Sequence, residues 1–74
     1  MIAIILIKTK AGRAFKACEA IQKIEGIVNV HVVTGPYDII AIADSLNVSL
    51  QSILTSTHNV RGVERTETCL TISQ

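Results

Sequence analysis

Asp38 follows a Gly35-Pro36-Tyr37 turn and precedes the apolar run Ile39-Ile40-Ala41-Ile42-Ala43. Burying a carboxylate without a partner is costly, so Asp38 belongs at a rim of the fold, where it can meet something cationic. From Gly35 to Asp38 the chain offers backbone N–H groups, a phenol and a carboxylate in four residues. A second polar pair, Thr66 and Thr68, flanks Glu67, and in a strand both hydroxyls share one face. A zwitterionic amino acid needs an anion for its ammonium group and several donors for its carboxylate. Asp38 can supply the first; backbone N–H groups with Thr66 and Thr68 can supply the second. The plainer alternative is a solvated turn acid beside ordinary strand threonines.

Other reactive side chains point to no chemistry. His31 alternates with apolar neighbours, and His58 falls in the last turn of a predicted helix, where a cation suits the dipole. Neither lies at a motif-like spacing from a nucleophile or a carboxylate pair. Asp38 and Asp44 bracket one strand, roughly 20 Å apart when extended, and cannot act together. Cys18 and Cys69 form no C-x-x-C or other metal-ligand spacing. Each sits in a predicted regular element, where a buried free thiol is the expectation, and nothing near Cys69 in sequence would lower its pKa. The reading is a binding module without catalytic residue, metal or cofactor.

Seventy-four residues form one domain, 1–74, which buries too little surface to be comfortably stable alone. Yet 49% of the residues are hydrophobic and only 18% charged, more apolar surface than one small core requires. With no disulfide or metal in prospect, self-association is the expected solution. A net charge of +1, one Phe, one Tyr and no Trp argue against nucleic acid as a direct partner. Ile2 to Ile7 is too short to span a membrane and lacks the leader and cleavage site of a signal peptide. A soluble cytoplasmic protein is the expectation.

The elements that must position these residues follow from periodicity. Ile2 to Ile7 reads as a strand ending at Lys8. Gly12 opens a helical segment with Ala14, Ala17, Cys18, Ile21 and Ile24 on its inner face, closed by Gly26. Ile27 to Thr34 and Tyr37 to Asp44 read as two further strands joined by a tight Gly-Pro turn. Ser45 and Asn47 are candidate N-caps of a second helix, with Leu46 as a hydrophobic staple and Leu50, Ile53, Leu54 and Thr57 inside. Its Ser and Thr content makes it dependent on packing. Gly62 closes it, and Val63 to Ile72 is the last strand.

Ile24-Glu25-Gly26-Ile27 is echoed by Val60-Arg61-Gly62-Val63. Two such units give βαββαβ, an α+β ferredoxin-like plait with an antiparallel sheet and both helices on one face. Strands one and three are apolar on both faces, as central strands should be. Strand two carries Asn29 and His31 on one face, and strand four is polar, as edge strands should be. The face without helices would therefore expose Ile and Leu side chains, which marks an interface. A second copy packed sheet to sheet is the simplest cover.

The run V-V-T-G-P-Y-D-I-I-A-I-A-D at Val32 to Asp44, with R-G-V-E-R-T-E-T at Arg61 to Thr68, resembles the effector domain of the Lrp/AsnC feast/famine transcriptional regulators. That family joins its second and third strands by a G-x-Y-D type turn and opens its last strand with G-V-x-x-T-x-T. The resemblance covers essentially the whole chain. It implies a plait of the dimeric α/β-barrel type, which dimerises through its sheets and assembles further into rings such as octamers. It also implies an amino acid bound between dimers near the turn, with Gly35, Tyr37 and Asp38 beside the ligand and Thr66 and Thr68 as further candidates. Full regulators carry an N-terminal helix-turn-helix. Here the sheet begins at Ile2, so the resemblance implies a stand-alone effector domain whose partners are its own copies and a full-length regulator. Pro36 stands where the family often has an acidic residue.

Two other readings compete with this sensing module. A small dimeric α/β-barrel enzyme, of monooxygenase or isomerase type, would need a pocket between sheet and helices lined by residues such as His31 and Asn29. A ligand-free assembly module would keep one oligomeric size whatever amino acid is added.

Overall fold

The computed structural model describes residues 1–73. Alternation along Ile2–Thr9 builds strand β1, which turns Ala3, Ile5, Ile7 and Thr9 to one side and Ile2, Ile4, Leu6 and Lys8 to the other. Helix α1, Ala14–Gln22, buries Ala17 and Ile21 one turn apart. β2, Ile27–Val32, and β3, Ile39–Asp44, follow, then helix α2, Leu50–His58, and β4, Val63–Leu70. The sheet is antiparallel in the order β2-β3-β1-β4, which places the two doubly apolar strands in the centre as their composition requires.

Both helices cover the Ile5 side of the sheet, α1 against β2 and β3, and α2 against β4. Ile5, Ile7, Ile21, Ile39 and Ile53 are completely buried there, with Ala3, Ala17, Ala41 and Ala43 filling between them. Thr57 is equally buried; its hydroxyl donates to the Ile53 carbonyl at 2.8 Å, so that hydroxyl is not stranded. The space in which an enzyme of this architecture would need a pocket is thus filled with side chains. His31 and Asn29 pair across from Ile40 and Ile42 and are exposed on the opposite, helix-free face.

Gly26 explains one half of the internal echo. Its φ is +98°, and an added Cβ would lie 2.5 Å from Ile53 Cδ1 and 2.6 Å from Val48 Cγ1. The α1–β2 junction therefore needs glycine both for its backbone and for the approach of α2.

Several boundaries differ from the sequence expectations. β2 stops at Val32 and β3 starts at Ile39, leaving a longer connection than a tight hairpin turn. Pro36 has no N–H to give, and the Asp38 amide donates to Ile7 O at 2.9 Å in β1 instead of to β2. β4 ends at Leu70, short of Ile72. The N-cap of α2 is neither Ser45 nor Asn47 but Ser49, whose hydroxyl accepts from the Ser52 amide at 3.1 Å. Leu46 is 77% exposed and staples nothing. Cys18 is only partly buried, and Cys69 is exposed because it lies on an edge strand facing away from the helices.

Candidate functional site

The turn after β2 closes through Val33 N–H donating to Asp38 O at 2.8 Å. Gly35 sits at its exposed tip with φ +133°. Beyond the tip the turn sends its two functional side chains in different directions. The Asp38 carboxylate reaches the end of β1, where Oδ2 accepts from the Thr9 amide at 2.8 Å and the Thr9 hydroxyl at 3.2 Å. The Lys8 ammonium stands 3.6 Å from the same oxygen. Asp38 is thus at a rim and does hold a cation, one supplied by its own chain. The Thr9 amide, opposed by partial burial and aided by Lys8, holds the Asp38 carboxyl below the usual carboxylate range.

Tyr37 instead crosses to β4. Its hydroxyl donates to Glu67, and the Arg65 guanidinium lies 5.8 Å from its ring centroid. The bond to Glu67 raises the phenol's pKa above its ordinary value. Tyr37, Arg65, Thr66 and Glu67 line a small depression of about 190 Å³.

Thr66 and Thr68 pair with Ile7 and Ile5, so both hydroxyls lie on the helix-covered face, as their spacing predicts. Glu67 pairs with Leu6 and faces the other way. Thr66 accordingly borders a cleft with Leu54, Thr55, His58 and Asn59 at the end of α2. The five candidate residues therefore do not form one ring of groups within a single chain: the turn contacts β1 and the outward side of β4, while the threonines face α2, Thr66 also bordering the depression beside Tyr37. Sequence reading missed Lys8, Thr9, Arg65 and Glu67. Period-two alternation in β4 separates Glu67 from the threonines, but only the pairing of β1 with β3 and β4 brings any of the four to the turn.

The model of the Lrp/AsnC ligand binding domain family matches residues 2–74. The chain belongs to that family. Among its relatives, the HTH-type transcriptional regulator FL11 of Pyrococcus abyssi is 36% identical over 73 residues, covering 97% of this chain and 48% of that protein. The chain thus spans about half the length of that regulator. TTHA0845 from Thermus thermophilus superposes with a TM-score of 0.79 at 34% identity, covering 99% of this chain and 94% of that one. The transcriptional regulator NMB0573 of Neisseria meningitidis, solved as a complex with L-Met, shares the fold, with a TM-score of 0.77, 17% identity, and coverage of 99% and 50%. The ferredoxin-like architecture of this Lrp/AsnC domain is thus common to regulators whose other half lies outside the matched region.

Proposed function

We propose that this Lrp/AsnC domain is a non-enzymatic sensing and assembly module that self-associates through its helix-free face, binds a small amino acid and modulates full-length regulators by forming mixed assemblies. One observation carries the reading. Ile4, Leu6, Ile40 and Ile42 form the centre of a sheet face that no part of the described chain covers, ringed by Asn29, His31, Arg65 and Glu67. An apolar centre with a polar rim is the composition of an interface, and sheets stack at about 10 Å with side chains interleaved. A second copy presenting the same face is self-complementary.

Membership of a ligand-binding family supports the sensing half, as does the turn bearing Tyr37 and Asp38. So does the shared fold with a regulator solved in complex with L-Met. Multi-angle light scattering with and without each standard amino acid tests both halves. The expected result is an oligomer at micromolar concentration whose size or population shifts with at least one amino acid. A monomer under all conditions would overturn the assembly half; a constant oligomer with no amino acid bound would leave a ligand-free assembly module.

A further inference from the structure

Phe15, the chain's one phenylalanine, is 76% exposed. It holds the second position of α1, turned away from the buried Ala17 and Ile21, with Arg13 and Lys16 close by in sequence. Since α1 covers the Ile5 side of the sheet, a sheet-to-sheet dimer leaves Phe15 in water. Beyond the other end of α1 lies a depression of about 290 Å³, built by the α1–β2 and β3–α2 connections. Ile27, Val28, Leu46 and Val48 line it, with Glu25 and Asp44 beside them. Leu46 and Val28 are 77% and 58% exposed. A cavity of roughly 150 Å³ takes a benzene molecule, so this one has room for a phenyl ring. Charge is divided along the same line. Every Lys and Arg except Lys23 lies in the half of the molecule where β1 ends and α1 and β4 begin. Lys23 shares the opposite half with Glu19, Glu25 and Asp44. Among the described residues Arg13, Lys16 and Glu25 enter no ion pair, and Asp44 Oδ1 stands 3.5 Å from the Met1 ammonium.

We propose that Phe15 of one copy inserts into the apolar depression beside Leu46 of a second copy, with Arg13 and Lys16 set against its Glu25 and Asp44. Phe15 cannot fill the depression of its own chain, because the length of α1 holds it roughly 15 Å from Glu25. The contact is therefore heterologous: each copy keeps one aromatic knob and one recess free for a further neighbour. An aromatic anchor in an apolar recess, rimmed by charges, has the make-up of an interface hot spot. The division of charge steers the two unlike ends together and sets like ends apart. This contact is distinct from the sheet-to-sheet one and links dimers formed by it, using neither the turn nor the helix-free face.

Sedimentation velocity on the full chain, with circular dichroism to check folding, tests the contact. At about 50 mM salt wild type should form species larger than the dimer, and these should shrink as salt rises towards roughly 1 M. Phe15→Ala should weaken the larger species at least about tenfold. Phe15→Asp and Leu46→Lys, both at exposed positions, should each fold and stop at the dimer. An equimolar mixture of these two should regain a larger species, because the intact Phe15 of one variant meets the intact recess of the other. A wild type that stops at the dimer at every salt concentration overturns the contact and leaves the sheet-face reading standing. So do large species that survive Phe15→Asp, or a mixture that regains nothing. A wild type that is monomeric throughout removes both.

Discussion

Asp38 ties the turn after β2 to β1 through backbone and side chain together. Its amide meets Ile7, its carbonyl accepts from Val33, and its carboxylate holds Thr9 and Lys8. The donors stabilise the ionised form, so its folded pKa lies below the unfolded value of about 3.9. The sign follows from linkage: this stabilisation is present above the unfolded pKa and is lost as pH falls through the lower, folded one. Asp38→Asn should therefore be less stable than wild type at neutral pH, and the gap between their urea midpoints should shrink as pH drops below about 4. A gap independent of pH would assign the effect to packing alone. An acid at the rim was legible from sequence, because an apolar strand cannot absorb a carboxylate. Its partner was not, since Thr9 is 29 positions away and becomes a neighbour only when β1 pairs with β3.

At the scale of elements, order and type were written in the periodicities, whereas ends depended on hydrogen bonds that sequence leaves open. Ser45, Asn47 and Ser49 all precede α2 and all are competent caps by residue type. Ser49 takes the position because its backbone is extended, at φ −66° and ψ 146°, and its hydroxyl meets the Ser52 amide. Ser49→Ala should lower unfolding free energy by about 1 kcal/mol. Asn47→Ala should change it by less than about 0.5 kcal/mol. Equal losses at both positions, measured by urea denaturation, would contradict this capping assignment. The echoed glycines were legible for a firmer reason: Gly26 and Gly62 both adopt positive φ at the helix-to-strand junctions, a conformation few other residues accept.

The whole molecule is two-sided. One sheet face is sealed by α1 and α2 over an isoleucine core, and the other presents Ile4, Leu6, Ile40 and Ile42 to whatever lies beyond. If a second copy covers that face, the thermal midpoint rises with protein concentration by mass action. Leu6→Glu, at the centre of the patch, should abolish that dependence and yield a monomer in sedimentation velocity, because a like-charged carboxylate from each copy would be buried unpaired. Association undiminished in Leu6→Glu would place the contact elsewhere.

The amino-acid sequence by itself determined the βαββαβ order, the central and edge strands, the apolar helix-free face and the family, because each is carried by local pattern or by motifs contiguous in the chain. Only the tertiary structure decided what the candidate groups touch. A strand's side-chain direction follows from alternation, but its neighbour follows from register, and register here brings Glu67 to Tyr37 and Thr9 to Asp38 across about thirty positions. That is why Tyr37 and Asp38, adjacent in the chain and similar as polar residues, end on different strands, Tyr37 at β4 and Asp38 at β1.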